Sequence, residues 1–218
     1  KVYTCTVCGA TKAEVIPMLT HDHNFTWTVI SQATVFAPEK QEGICTICGA
    51  KKTRDNGNKL TATIKLNATS IKLQKKQSTT KVKVTGLANG DSVKSWISSN
   101  KKIVTVDKSG KIKAGKKTGN AKITVTLKSG KKAILKVKVQ STKVKTTKIT
   151  GLKTNFTLKK GKSLTLKPVV APITSQEKVT YTTSNKKIAT VTKNGVVKAK
   201  KKGKVTITVK SGKVTKKV

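Results

Sequence analysis

Residues 96–119 read WISSNKKIVTVDKSGKIKAGKKTG, and residues 181–203 read YTTSNKKIATVTKNGVVKAKKKG. The likeness extends on both sides at one constant offset. Leu73 meets Leu158, Ser78 meets Ser163, Trp96 meets Tyr181, Asn100 meets Asn185, Gly110 meets Gly195 and Ala114 meets Ala199. After a one-residue gap, Gly119, Ile123 and Val125 meet Gly203, Ile207 and Val209. Such self-similarity marks two copies of one structural unit of roughly 75–85 residues, a size that holds its own small core. The stretch QSTKVKTT, residues 140–147, is the junction between them.

Inside each copy the dominant pattern is alternation. Lys81–Val84, Lys111–Ala114, Lys122–Leu127 and Leu135–Val139 place apolar and lysine or threonine side chains at every second position. That period puts the apolar groups on one face of a strand and the polar ones on the other, so each run reads as a half-exposed antiparallel strand. Turn formers fall between the runs at Asn89-Gly90, Ser109-Gly110, Ser129-Gly130, Asn194-Gly195 and Ser211-Gly212. Short strands with regularly spaced turns predict a sandwich or barrel, and no stretch has a helical period. Trp96 and Tyr181 are expected to start strands as large core anchors, with Ser-Asn as a polar turn after them.

The order W-x-SSN-x-x-I-x-TVD-x-x-G-x-I-x-A, followed by G-x-A-x-ITV, resembles the bacterial immunoglobulin-like domain group 2 family. The second copy, Y-T-TSN-K-K-IATV-x-x-x-G-V-V-x-A with G-x-V-TITV, is similar to it as well. The resemblance covers about residues 60–218 and implies immunoglobulin-like β-sandwiches of bacterial surface proteins, often in tandem, serving as spacers or adhesive modules. Two departures stand out: Tyr181 replaces the Trp, and the second copy stops short of a full last strand.

The 218 residues carry a formal charge of +40, from 48 basic and 8 acidic residues, and only 3% are aromatic. Residues 1–58 are close to neutral, so the charge sits almost wholly on the two copies. Arg54 is the sole arginine. Ammonium groups act as point charges and lack the guanidinium fork that reads base edges, and few aromatics are available for stacking. Specific nucleic-acid recognition is thereby disfavoured. Lysines on outward strand positions keep sheets soluble and blunt their edges. They also suit an anionic polysaccharide or cell-wall polymer, or a host surface glycan or protein, held by attraction that salt screens. No run of 18 apolar residues is present, so no membrane insertion is expected in this stretch, which reads as a piece of a longer extracellular surface protein.

The near-neutral segment holds a repeat of its own, YTCTVCGATK and GICTICGAKK. Each is Cys-x-x-Cys-Gly, the shape of a zinc knuckle, in which the glycine lets the backbone turn so that both thiolates face one ion. Cys5, Cys8, Cys45 and Cys48 are the candidate ligands of one structural zinc, with His21 and His23 as alternative ligands. Disulfides are the competing reading in an exported protein. The segment also resembles small cysteine modules that accompany such domains in Gram-positive surface proteins, through HNFTW and the Cys-x-x-Cys-Gly ends.

Catalysis has little to work with. The two copies contain no His, no Cys and three carboxylates, so Asp91 with Asp107 is the one candidate pair for acid–base work, and Asp107 sits where turns favour Asp. A Lys cross-linked to an acid or Asn needs a buried lysine beside its partner, which so few acids disfavour. The chain is therefore expected to be an all-β, non-enzymatic module. Its expected divisions are a β-rich cysteine module at 1–58, one sandwich at 59–141 and another at 142–218. The alternative is a carbohydrate-binding module with a defined pocket, in which Trp27 would be exposed among polar groups.

Overall fold

The computed structural model describes residues 2–13 and 22–218, and every regular element among them is a β-strand. The chain divides into two compact units, Lys1–Leu60 and Thr61–Val218.

In the first unit β1 (Val2–Thr4) and β2 (Thr11–Ala13) pair as an antiparallel hairpin. Strands β3 (Phe25–Ser31), β4 (Glu39–Cys45) and β5 (Lys51–Asn56) form an antiparallel sheet with β4 in the middle. The large apolar burial is slight: among the described residues of this unit, Val35 and Cys45 are its buried hydrophobic side chains.

The second unit holds two β-sandwiches. In the first, the strands are β6 (Lys65–Leu66), β7 (Ser70–Gln74), β8 (Ser78–Thr79), β9 (Val84–Thr85) and β10 (Val93–Ser98). They continue with β11 (Val104–Val106), β12 (Ile112–Ala114), β13 (Gly119–Leu127) and β14 (Lys132–Gln140). One sheet has the order β10-β13-β14-β7 and another β11-β12-β8, with β6 and β9 as a separate pair. Ala121, Ile123 and Val125 of β13 point inward with Leu135, Val137 and Val139 of β14, while Lys122, Lys136 and Lys138 stay exposed. Fully burying one such aliphatic side chain contributes about 1.5–3 kcal/mol, so this dozen-residue core carries the sandwich.

The second sandwich runs through β15 (Lys148–Thr150), β16 (Ser163–Thr165), β17 (Val169–Ala171) and β18 (Val179–Thr183). It ends with β19 (Ala189–Val191), β20 (Val196–Ala199), β21 (Ile207–Ser211) and β22 (Val214–Lys217). Its sheets are β18-β21-β22 and β16-β20-β19, with β15 paired to β17.

The repeated sentence is a set of short-range bonds made twice. Ser98 and Thr183 each donate their hydroxyl forward, to the carbonyls of Val104 (2.7 Å) and Ala189 (3.1 Å). Asn100 and Asn185 cap the following turn by accepting the N–H of Lys102 and Lys187. Ser99 and Ser184 accept the N–H of Lys122 and Thr206, which ties this turn to the next long strand. Asp107 and Thr192 each accept two N–H groups across their turns, from residues two and four further on. Gly110 (φ 80°) and Gly195 (φ 77°) close those turns in the left-handed region. A β-carbon there would meet Trp96 at 2.9 Å and Tyr181 at 2.8 Å, so each ring lies on its glycine. Both rings sit in mid-strand, half-buried against the core, not at a strand start as expected. Burial pushes the Tyr181 phenol above its ordinary pKa.

Two further expectations are corrected. Lys81–Val84 is mostly not a strand, and only Val84 joins β9. Val82 is still buried, because Asn67 serves the neighbouring backbone by accepting Lys83 N–H and donating to Lys81 C=O, both at 2.9 Å. Nor are all pairings antiparallel, since β14 runs parallel to β7 from Lys136↔Ser70 to Gln140↔Gln74. These strands bracket the whole sandwich, so no hairpin dictates their direction.

Candidate functional site: the joint between the sandwiches and a cysteine–histidine cluster

The junction is packed, not loose. Val144 and Thr146 are buried, and Val144 exchanges two hydrogen bonds with Gln176, one to its backbone and one to its side-chain oxygen. Thr146 N–H donates to Glu177 Oε2 at 2.6 Å, and the Thr146 hydroxyl lies 2.7 Å from that of Ser211 and 2.8 Å from that of Ser175. The loop carrying these groups reaches back to the first sandwich. Thr174, 1% exposed, donates its hydroxyl to Lys72 C=O at 2.6 Å and accepts from Gln77 Nε2 at 2.8 Å through its carbonyl. Gln176 Nε2 donates to Gln74 Oε1, Gln74 Nε2 donates to Ser141 C=O, and Ile173 packs on the first core. A buried polar group left unpaired costs about 1–3 kcal/mol, so undocking this loop is opposed at several points together.

The two cysteine knuckles share one backbone. Cys5 N–H donates to Ala10 C=O and Gly9 N–H to Cys5 C=O; Cys45 and Gly49 repeat both bonds with Ala50 and Cys45. The second knuckle closes β4 and faces the start of β3, because Phe25 is in register with Cys45 and Thr46 N–H donates to Asn24 C=O. That places His23 beside it. Ligand atoms of His23, Cys45 and Cys48 all lie within 4.8 Å of one another, with Cys48 Sγ 3.4 Å from His23 Nδ1. A tetrahedral zinc sets N···S near about 3.6 Å and S···S near about 3.8 Å, so this donor set fits one. The Phe25 ring lies 5.5 Å from the His23 ring and steadies it.

Of the expected ligands, the structure thus brings together Cys45, Cys48 and His23. Cys5 and Cys8 stand in the first knuckle and join no group of three among the described residues; His21 lies outside those residues. The Cys5 thiol is held below its ordinary pKa by the Cys8 N–H, then by the Cys8 thiol and the Val7 N–H, against a small desolvation effect. No disulfide joins the cysteines among the described residues. The pairing of His23 with the second knuckle was obscured in the sequence by the 36-residue gap between the knuckles, which drew attention to a four-cysteine site instead.

Trp27 offers no sugar platform of the open kind. It lies half-buried on Gly43, where a β-carbon would come within 2.9 Å of the ring, and the Arg54 guanidinium covers it at 3.9 Å from the centroid. The acid pair is spent on turns. Asp107 accepts from the Ser109 hydroxyl at 2.6 Å and from two N–H groups, which hold its carboxyl below the usual range. Asp91 is pushed up by desolvation, but bonds from Ser129 and Ser92 outweigh that and leave it lowered too.

Two sandwiches written with one motif and joined by a packed junction define a tandem protein of immunoglobulin type. The family model described as bacterial Ig-like domain (group 2) matches residues 61–137 and 143–218, and the chain belongs to that family. Comparison with curated proteins gives no match. Among solved structures, domains 1–6 of the surface layer protein SbsC are 17% identical with a TM-score of 0.34, and the alignment covers 97% of this chain but 36% of that one. SbsC domains 4 and 5 are 19% identical with a TM-score of 0.34, covering 89% of this chain and 95% of that one. Cadherin domains 1–4 of protocadherin gamma B7 are 10% identical with a TM-score of 0.28, covering 91% of this chain and 65% of that one. Similarity at that level carries no argument about function.

Proposed function

We propose that this chain is a non-enzymatic spacer segment of an extracellular bacterial surface protein, in which the docked pair of sandwiches acts as one stiff body. The observation that carries the reading is Thr174, a residue of the second sandwich that is 1% exposed and bonded twice to the first, at Lys72 and at Gln77. Membership of the bacterial Ig-like family supports the surface setting. The covered Trp27 ring favours a spacer over a carbohydrate-binding pocket, and in the sandwiches Asp91 and Asp107 are both engaged in turns. Dipolar spectroscopy between nitroxide-bearing noncanonical residues at exposed positions 131 and 193 tests it. A single narrow distance distribution is expected; a broad one would sink the spacer.

In the same reading, His23, Cys45 and Cys48 supply three of the four ligands of a structural zinc, which stands in for the core that is slight among the described residues of the first unit. A catalytic zinc needs a general base beside an open position, and among the described residues no carboxylate belongs to this cluster. Elemental analysis should find zinc in the purified chain, and a chelator should lower the melting temperature of residues 1–60 while leaving the sandwiches unchanged. Retention of the full melt after chelation would remove the zinc from the proposal.

A further inference from the structure

A groove of ≈ 1150 Å³ runs along the first sandwich beside the joint, and six lysines line it: Lys72, Lys122, Lys136, Lys138, Lys143 and Lys145. All six are exposed, and no carboxylate lines the groove. Among the described residues the ion pair that forms is Lys51 with Glu42, in the other unit, so none of these lysines is neutralised that way.

Their placement is what singles them out. Lys122 is directly opposite Lys136 across β13 and β14, and Lys138 is directly opposite Lys72 across β14 and β7. Lys136 and Lys138 are two residues apart on one strand, so all four project from the same sheet face. Strands lie about 4.8 Å apart and alternate residues about 6.7 Å apart, which packs four ammonium stems into one small patch. Like charges directly opposite each other destabilise a sheet. Solubility alone does not call for this arrangement, because lysines scattered among acids serve it as well. The second sandwich, equally lysine-rich, carries Thr206 and Thr157 at the positions of Lys122 and Lys72. The cluster therefore belongs to the groove and not to the repeated unit.

We propose that this groove binds a linear phosphate polymer, with the four sheet lysines and the two junction lysines, Lys143 and Lys145, contacting successive phosphates. An ammonium group is a compact point charge that meets a phosphate oxygen from any direction, whereas flat carboxylates are better matched by the guanidinium fork, which is absent from the groove. No aromatic side chain lines it, so the polymer it fits has no bases to stack. Apolar Val144, Ala171 and Pro172 belong to the same groove, which leaves the lysine ammonium groups as its charged contacts. The inference deepens the surface-spacer reading by naming a partner, yet stands apart from it, since the groove binds or fails to bind whether or not the joint is stiff.

The test uses the full chain and fluorescent inorganic polyphosphate, followed by anisotropy at 50 and 150 mM salt. One variant carries Lys72→Gln, Lys122→Gln, Lys136→Gln and Lys138→Gln; a charge-matched control carries Lys193→Gln, Lys200→Gln, Lys201→Gln and Lys202→Gln. The groove variant should lose about tenfold or more in affinity and flatten the salt dependence by about three log units per log unit of salt, with the control within about twofold of the parent. Equal losses in the two variants, or no polyphosphate binding at 150 mM salt, would overturn the proposal. So would dextran sulfate binding the parent through these lysines when polyphosphate does not. Folding is read independently. Relief of the lysine repulsion should raise the melting temperature of the groove variant without polymer, and polyphosphate should then raise that of the parent but not of the variant.

Discussion

In the first sandwich Ile71 and Leu73 lie beneath the parallel pairing of β7 with β14 and are 3% and 0% exposed; at the same positions in the second, Phe156 is 39% exposed and Leu158 is half-buried. Their turns are nonetheless built alike, down to Asn100 and Asn185 capping the same backbone and Trp96 and Tyr181 lying on the same glycine. The difference teaches what the repeated motif does and does not specify. It sets turns and ring anchors through contacts a few residues apart. It does not by itself bury β7, whose Ile71 and Leu73 are covered through the parallel pairing with β14, a contact that lies outside the motif.

The largest expected effect breaks the comparison at β7. Leu73→Ala should cost about 3 kcal/mol or more, because a fully buried leucine leaves a cavity under a closed strand, whereas Leu158→Ala should cost about 1 kcal/mol. Urea unfolding followed by a probe in each sandwich measures both; equal costs would show that the two edges are packed alike. Next come the shared turns. Gly110→Ala and Gly195→Ala should each cost about 1–3 kcal/mol, since both force a side chain into the left-handed region and against a ring. Here the two sandwiches should respond alike, and a loss confined to one would separate turns that the motif makes equivalent.

The smallest effect sharpens the comparison through pH. Asp107 titrates below its ordinary value of 3.8 in the folded chain, so its contribution is present above that value and is lost as pH falls through the lower folded one. Thr192 holds the same turn in the second sandwich without a charge. As pH falls below 3.8 the first sandwich should lose more stability than its Asp107→Asn variant, in which Asp91 still contributes an acid loss, while the turn at Thr192 stays indifferent. Melting curves of both variants across that range decide it.

What the sequence made legible follows the same division between near and far. The duplication, the turns at Gly110 and Gly195, and the inward faces of β13 and β14 could be read directly, because alternation and side-chain capping act over a few residues. Three features could not. The parallel pairing joins Leu73 to Val139, and nothing local in either strand names its partner or direction. At Val82 the alternation gave the burial but not its support, which comes from Asn67 doing the work of a strand partner from 14 and 16 residues away. The joint relies on Thr174 meeting Lys72 and Gln77, about a hundred residues earlier in the chain, and a threonine in a polar loop carries no mark of that. At the cysteine cluster the knuckle shape was visible, but its third ligand depends on the register of Phe25 with Cys45, which only the folded sheet supplies.

The most direct measurement of the central claim, that the joint makes the two sandwiches one body, is ¹⁵N relaxation on the full chain. The account predicts a single shared rotational correlation time for residues 61–137 and 143–218, separating into two when Thr174→Ala and Gln77→Ala are combined. Two distinct correlation times in the unaltered chain would contradict it.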